Sequence, residues 1–517
     1  MYALTIGTSV ERKVIMKKTF TVILTAVLAG SIMLTGCGAS VEQSDNGSNR
    51  EEAAKPELDP DKPVSLTVWH YYTGAQQSSL DKLVSEFNAG EGAEKGIYVE
   101  ASSLGSIKDL EQAVTDSIQE AVGSKEMPDM FASYADTAYS AWKAGKIADI
   151  SQYVSEDELS EYVDGYIDEG RFNNNDELYL FPTAKSTEAL LLNKTDWEPF
   201  AEATGSTVEE LSTEEGIAEV AERYYEWTDS LTPDIADDGK AFYGRDSMSN
   251  YFVIGMKQMG TDLFDVRDGE VSINADKDKM RRLWECFYVP YIKGYFARYG
   301  KFCADDVKTG EIIAYTGSSA SSVYFPDKVY DAAGNERAID YLISDAPIME
   351  GGEHIKVQQG AGMAVVKSDS LHEYASVEFL KWLTAKENNL RFVVRGGYLP
   401  VRKDANNIEA LDKLIEEKGL EVDPKTYACF KSITDSFNDT SFYTTKCFAN
   451  GYAVRSVLDK DLLNKAKEDR EAVCAAVASG ASRQEALKPY LTEENFEECM
   501  IISVPNWRRR RQSKLMP

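Results

Sequence analysis

A run of large aromatic side chains ends the first strand-like segment of the sequence. Residues 64–70, VSLTVWH, alternate apolar and polar residues as a strand does, and Trp69, Tyr71 and Tyr72 come where this strand gives way to a turn. Ligand pockets are largely apolar and hold a few placed polar groups, so aromatic faces at a strand end are candidate contacts for a ligand. Because neighbours on an extended segment alternate in direction, we expect two of the three rings to face a pocket. A core position for Trp69 is the alternative; if it lines the pocket, Trp69→Ala should weaken binding with little loss of fold.

Polar side chains in two further segments are candidates for the same pocket. In MPDMFASYAD, Tyr134 and Asp136 come directly after an apolar strand, where they either line a pocket or pack within the loop. In YGRDSMSNY, Arg245 and Asp246 are further candidate ligand contacts, although Asp246 can instead cap the helix that begins nearby. These groups can offer hydrogen bonds to a polar solute.

Motifs for covalent or metal chemistry are absent from the sequence. There is no G-x-S-x-G elbow, no H-E-x-x-H and no P-loop, and His70 has no neighbouring His or Cys partner. NADKDKMRRLWE spaces its polar side chains like an EF-hand loop, but Lys279 stands where that loop requires glycine, so the first turn of a helix is the better interpretation. We predict no catalytic residue, no metal and no cofactor. Because paired glycosidase carboxylates leave no reliable motif, a surface-anchored hydrolase acting on carbohydrate is the alternative.

Length and charge set the broad class. The chain has 517 residues, of which 43% are hydrophobic, enough for a sizeable core and two or more domains. The formal net charge of -30 argues against nucleic acid or an anionic membrane surface as a direct partner.

The N-terminus has the pattern of an export signal. Two lysines precede the apolar run FTVILTAVLAGSIML, which is short for a membrane span, and the run leads to LTGC, ending at Cys37. This ending resembles the bacterial lipobox, whose cysteine is diacylated. We predict a signal peptide over residues 1–36, with Met16 as the natural start, and a lipid-anchored protein on the extracellular face of the cell membrane, since two acyl chains anchor a domain stably.

Polar segments flank the part of the chain that can fold. Residues 37–62 have almost no large apolar side chain and are typical of a flexible tether. Residues 506–517 form a basic tail, for which a solvated terminus is the simplest interpretation. Between these segments strands alternate with helices, which indicates an α/β fold with a largely parallel sheet.

Several segments together resemble the extracellular solute-binding proteins of ABC importers, the family that includes sugar binders such as maltose-binding protein. They occur in the family's order, and they are MPDMFASYAD, LYLFPTAKSTEALLLNKTDW, TGEIIAYTGSSA, DAPIMEGGEHIKVQQGAGMAVVKSD and GGYLPVRKDA. The resemblance implies an α/β, periplasmic-binding-protein-like type II fold, in which two α/β lobes are joined by a multi-segment hinge with the ligand cleft between them.

The resemblance also implies limits for the two lobes. The first α/β lobe combines residues 64–184 with 361–398, and the second, helix-rich lobe combines 187–358 with 400–505. The hinge segments fall at about 183–188, 359–362 and 397–400.

Side chains on the hinge segments and on the GSSAS stretch are implied to reach the cleft. They are Lys185, Ser186, Thr187, Glu188, Gly317, Ser318, Ser319, Gln359 and Tyr398. A surface turn at 185–188 and a helix start at GSSAS are the alternatives. The resemblance further implies a monomer that captures a small solute, a mono- or oligosaccharide in the first place, and delivers it to an ABC transporter permease. A peptide or a polyamine is the alternative solute.

Overall fold

The computed structural model describes residues 55–172, 176–267, 269–331 and 333–499. The predicted signal peptide, Cys37, the tether up to residue 54 and the basic tail lie outside these residues. Within the ranges described, no helix combines the length and the apolarity needed to cross a membrane.

The strands are short, and most of them belong to two sheets. They are β1 (Val64–His70), β2 (Ile97–Ser103), β3 (Met130–Ser133), β4 (Phe181–Pro182), β5 (Glu188–Asn193), β6 (Tyr243–Arg245), β7 (Phe264–Arg267), β8 (Glu270–Ile273), β9 (Ala314–Ser318), β10 (Lys328–Tyr330), β11 (Glu336–Ala338), β12 (Tyr341–Asp345), β13 (Ile355–Val357), β14 (Gly362–Val365) and β15 (Ser441–Tyr443).

Helices connect the strands and form most of the C-terminal part. They are α1 (Gly74–Ala89), α2 (Glu91–Lys95), α3 (Ile107–Ile118), α4 (Ala135–Lys143), α5 (Glu156–Ser160), α6 (Asp164–Asp168), α7 (Lys194–Thr204), α8 (Glu214–Ser230), α9 (Met248–Gln258), α10 (Lys277–Lys293), α11 (Cys303–Lys308), α12 (Ser370–Leu383), α13 (Lys386–Val393), α14 (Ile408–Lys418), α15 (Pro424–Asp435), α16 (Gly451–Leu458), α17 (Asp461–Ala478) and α18 (Arg483–Leu487). Asp276 caps α10 by accepting hydrogen bonds from the backbone N–H groups of Asp278 and Lys279, each at 3.1 Å. This segment therefore forms the first turn of a helix, as the sequence favoured.

The first sheet places the aromatic run at the end of a central strand. Its strand order is β2-β1-β3-β14-β4, with β1 parallel to β2 and β3, and with β14 antiparallel to β3 and β4. Because β1 has a neighbour on both sides, its end is enclosed by the ends of β2 and β3.

The second sheet is built around β5. Its order is β12-β5-β9-β6, and β5 runs antiparallel to both of its neighbours. Every residue of β5 is buried, and alternate leucines enter different cores: Leu190 and Leu192 enter one, and Leu191 enters another. The continuous apolar run in EALLLN is thus explained by a strand that is covered on both faces.

Three backbone segments lie side by side between the two sheets. Residues 183–187 join β4 of the first sheet to β5 of the second. The backbone N–H of Ser186 donates to the carbonyl of Gln359 at 3.0 Å, and the N–H of Lys185 donates to the carbonyl of Leu399 at 3.1 Å. The structure therefore brings the three predicted hinge segments together, while the limits of the lobes stay a prediction.

Candidate functional site

A cluster of tyrosines lies where β1, β3 and the third of these segments meet. Tyr71 is half-buried, and its phenol lies close to that of Tyr398. Tyr134 follows β3, has 39% of its surface exposed, and lies near both of them. Burial raises the pKa of Tyr71 and of Tyr398, so both phenols stay protonated and keep a hydrogen-bonding O–H at neutral pH.

Two strongly exposed tyrosines adjoin this cluster from the part of the chain that contains the second sheet. Tyr324 ends the short helix after β9 and is 73% exposed; it lies close enough to Tyr398 to raise its pKa further. Tyr452, at the start of α16, is 67% exposed and contributes in the same way to the raised pKa of Tyr134. Aromatic surface from both parts of the molecule therefore faces one region.

Carboxylates lie beside the tyrosines. Asp136, at the start of α4, has one oxygen 3.9 Å from Nε of Arg455, and its other oxygen is buried without a hydrogen-bond partner among the described residues. Glu111 accepts a 3.0 Å hydrogen bond from the hydroxyl of Thr137. A Cβ at Gly451 would stand 2.7 Å from Asp136 Oδ1, so only glycine lets α16 approach this closely.

A cavity of about 220 Å³ lies along α4, the helix that carries Asp136 in its first turn. It is lined by Tyr139, Trp142, Lys143, Asp168, Glu169, Arg171 and Phe172 on one side and by Val266, Gly269, Lys446 and Cys447 on the other. Glu169 contributes to the raised pKa of both Tyr134 and Asp136, after burial, so the cavity and the tyrosine cluster are adjacent.

The structure corrects the expectation for two of the three aromatic residues at the end of β1. Trp69 is 8% exposed and belongs to the core beneath the first sheet. Tyr72 is 2% exposed, and its ring packs edge-on against Phe392 with the centroids 5.1 Å apart. Of the three, only Tyr71 reaches the tyrosine cluster as a partly exposed ring. His70 is fully buried, and desolvation lowers its pKa to about 4, so it is neutral at physiological pH.

Lys185 is buried between the three connecting segments. Its ammonium group is 1% exposed, pairs with Glu169 and also donates to the carbonyl of Gly360 at 3.1 Å. The Gln358 side chain donates to the same carboxylate at 2.8 Å. Ser186 and Thr187 are buried as well, and Gln359 is half-buried. These contacts tie the segments to one another, which is a structural role.

Glu188 and Arg245 form a second buried charge network. The Arg245 guanidinium lies 3.2 Å from Glu188, pairs also with Glu214, and stands 4.9 Å from the centre of the Tyr251 ring. Asn250 donates to the other Glu188 oxygen at 2.8 Å. A cavity of about 20 Å³ beside them holds no more than a water molecule. The network therefore lies within the structure, with the arginine and both carboxylates buried.

The serine side chains of the GSSAS stretch form hydrogen bonds with backbone groups. Ser318 caps the short helix 319–324, and Ser319 accepts from the N–H of Thr187 at 3.3 Å and donates to the carbonyl of Gly397 at 3.3 Å. Gly317 is buried in β9 beside the Asp246 carboxylate. Asp246 does not cap the next helix; Ser247 does so, while Asp246 accepts from the N–H of Cys303 at 2.9 Å.

The family described as bacterial extracellular solute-binding proteins matches residues 82–421, which is more than half of the chain. The chain belongs to this family. This confirms the resemblance seen in the sequence, and it makes the protein a binding protein rather than a hydrolase.

Solved structures share the fold of this solute-binding protein. The cyclic alpha-maltosyl-1,6-maltose binding protein of Arthrobacter globiformis matches with a TM-score of 0.60 and 17% identity, over 86% of this chain and 100% of that one. An ABC substrate-binding protein of Listeria monocytogenes in complex with cycloalternan gives 0.56 and 16%, over 85% and 99%. UgpB of Mycobacterium tuberculosis, in complex with glycerophosphocholine, gives 0.56 and 16%, over 86% and 99%. The predicted α/β, periplasmic-binding-protein-like type II fold is confirmed.

Sequence reasoning on this solute-binding protein missed two of the five tyrosines in this region. Tyr324 and Tyr452 lie in helix-forming segments, SSVYF and NGYAVR, that carry no strand-end signal. The only available hint was that each aromatic ring follows small or polar residues, an arrangement also common in packed helices.

Replacing Trp69 with alanine is expected to lower the free energy of unfolding by about 3–5 kcal/mol, the usual cost of deleting a buried tryptophan. The reason is its place in the core beneath the first sheet, which contradicts the sequence-based expectation of little loss of fold. Urea unfolding followed by circular dichroism would measure the change. A loss below 1 kcal/mol would mean that the ring is not part of the core.

Proposed function

We propose that this protein is a lipid-anchored receptor that captures a small carbohydrate outside the cell and delivers it to an ABC transporter permease. Membership of the solute-binding family supports capture of a solute. The named ligands of two similar structures, a cyclic maltosyl-maltose and cycloalternan, support a sugar. The lipid anchor rests on the Leu-Thr-Gly-Cys sequence at Cys37.

The observation that carries the proposal is the tyrosine cluster contributed by both parts of the molecule. Tyr71, Tyr134 and Tyr398 lie by the first sheet, Tyr324 lies near Tyr398, and Tyr452 lies near Tyr134. Flat rings can cover the C–H faces of a sugar, while their phenols and the carboxylates of Glu111 and Asp136 can hydrogen-bond its hydroxyls. Aromatic faces combined with phenols and carboxylates suit a polyhydroxylated ring.

The same arrangement suggests how the solute is held. Residues 64–184 with 361–398 form the proposed first lobe, and residues 187–358 with 400–505 the second. A ligand that contacts tyrosines on both lobes binds the closed form more tightly than the open one, and it therefore shifts the population toward closure. The three paired segments at 183–188, 359–362 and 397–400 are the proposed hinge.

A thermal-shift screen followed by calorimetry tests the proposal. Maltooligosaccharides, dipeptides, spermidine and glycerophosphocholine would be compared, since a ligand at 100 times its Kd stabilises the folded state by about 2.7 kcal/mol. We expect a sugar to give the largest shift, to bind with 1:1 stoichiometry and to be recovered unchanged. A shift with spermidine or a peptide and none with any sugar would overturn the proposal.

Tyr134→Ala is expected to weaken binding of that sugar about tenfold, or about 1.4 kcal/mol, because it removes one stacking face and one phenol. The ring is partly exposed, so its loss should leave the unfolding midpoint of the free protein almost unchanged. Tyr98→Ala is the matched control, since that tyrosine is 45% exposed on the edge strand β2. Equal affinity of the two variants would remove Tyr134 from the site.

A further inference from the structure

We propose that the 220 Å³ cavity beside the tyrosine cluster is a subsite for an acidic sugar unit, a hexuronate whose carboxylate is held by lysines and an arginine. This inference rests on the proposed function, and it names the class of carbohydrate. The position of the cavity, its aromatic wall and its basic lining support this assignment.

The cavity lies between two parts of the chain that meet across the tyrosine cluster. The end of α4 and residues 168–172 form one side, and the β7–β8 hairpin with residues 446–447 forms the other. Helix α4 begins directly after Tyr134 and carries Tyr139 and Trp142 of the cavity wall, so a chain of sugar units held by the tyrosines can extend toward the cavity. A cavity of about 150 Å³ holds one benzene ring, so about 220 Å³ suits one substituted six-membered ring.

One wall of the cavity is aromatic. The Trp142 ring packs against Tyr139 with the centroids 5.3 Å apart and against Phe172 with the centroids 6.1 Å apart. Tyr179 stacks behind Phe172 at 5.8 Å and contacts Trp142 at 5.6 Å, which holds the wall in place. A rigid wall of this kind can cover the C–H face of a pyranose ring.

The rest of the lining is unusually basic for a chain with a net charge of -30. Lys143, Arg171 and Lys446 supply three positive charges to the lining. Of the two carboxylates in the lining, Glu169 is already paired with buried Lys185, so Asp168 is the one lining carboxylate without that pairing.

These cations are poorly matched by partners within the described residues. Lys446 and Lys143 make no ion pair there, and Lys143 is held over the Trp142 ring, 4.5 Å from its centre. Arg171 has only long contacts, 3.6 Å to Glu156 and 3.5 Å to Asp176, and its Nε is buried without a hydrogen-bond partner. Cations with such weak partners gain the most interaction free energy when an anionic ligand binds from solution.

A matched pair of trisaccharides tests the subsite. α-1,4-trigalacturonate and its carboxyl-reduced counterpart, α-1,4-galactotriose, differ only in their carboxylates. We expect calorimetry to show at least tenfold tighter binding of the acidic trimer, with a preference that decreases as salt rises from 0.02 to 0.3 M because exposed charges are screened.

The role of the two lysines is tested by comparing, for each protein variant, its affinity for the acidic trimer with its affinity for the neutral trimer. In the Lys143→Gln/Lys446→Gln double variant the preference for the acidic trimer should fall below threefold. Lys413→Gln, on the exposed face of α14, should keep the full preference. A wild-type protein that prefers the neutral trimer, or a double variant that keeps the tenfold preference, would overturn the acidic subsite.

The two proposals fail in different ways. A protein that binds maltooligosaccharides or galactotriose but shows no preference for trigalacturonate loses the acidic subsite and keeps the sugar-binding function. A protein that binds none of these sugars loses both.

Discussion

Replacing Arg245 with alanine is expected to lower the free energy of unfolding by about 3–5 kcal/mol, the cost of removing one partner from a buried ion pair. The guanidinium is 3% exposed and faces two carboxylates, those of Glu188 and Glu214, which are also buried. Without the arginine, both carboxylates would remain in a low-dielectric interior with no opposing charge. Chemical unfolding at pH 7 would measure the loss.

The destabilisation in this variant should grow as the pH rises from 5 to 8. Burial raises the pKa of Glu214 to about 7, even though Arg245 opposes the shift. Between about 4.5 and 7 the folded state therefore holds more protons than the unfolded state, and this contribution to stability is lost as pH rises. Removing Arg245 raises the pKa of both carboxylates further. At pH 5 the two carboxylates are neutral, and the variant then loses the least free energy of unfolding. At pH 8 they must either ionise without an opposing charge or stay protonated at a larger cost in free energy.

Arg337→Ala is the matched control for this prediction. Arg337 pairs with Asp196 at 2.6 Å but is 49% exposed, so its removal should cost less than about 1 kcal/mol. An Arg245→Ala protein as stable as this control, or one whose loss does not depend on pH, would contradict the interpretation of a buried network.

Replacing Lys185 with alanine is expected to cost a similar amount, about 3–5 kcal/mol, because Glu169 would lose the cation that neutralises it. The lysine also donates to the carbonyl of Gly360, so the variant loses a link between two of the paired segments. Guanidinium unfolding would report the stability.

A double-mutant cycle separates the ion pair from the packing at this position. Adding Glu169→Gln to Lys185→Ala removes the unpaired carboxylate and should recover at least about 1 kcal/mol. Lys403→Ala, which breaks the exposed pair with Asp164, should stay within about 1 kcal/mol of wild type. No recovery in the double variant would mean that the cost comes from lost packing alone.

Local patterns determined much of the fold. The alternation in VSLTVWH and the continuous apolar run in EALLLN correspond to β1 and β5, because residue periodicity reflects how many faces of a strand are covered. The order of several weak segments was sufficient to indicate the family, which the match over residues 82–421 confirms. The limits of the lobes and the ligand contacts stay predictions.

The candidate site was only partly accessible from the sequence. The predicted residues Tyr71, Tyr134, Asp136 and Tyr398 lie near one region. In contrast, Lys185 forms a buried ion pair with Glu169, and Arg245 forms buried ion pairs with Glu188 and Glu214. A charged residue near a strand end looks the same in the sequence whether it faces a solute or a buried partner. The partner is fixed by packing between distant segments.

The sequence by itself determined the periodicity of the strands, the order of the family's segments and the export signal pattern at the N-terminus. Only the tertiary structure decided which aromatic rings are exposed: Trp69 is covered by the core of the first sheet, while Tyr324 and Tyr452 stand beside Tyr398 and Tyr134. The physical reason is that burial depends on which elements cover a side chain, and those elements come from segments that are distant in the sequence.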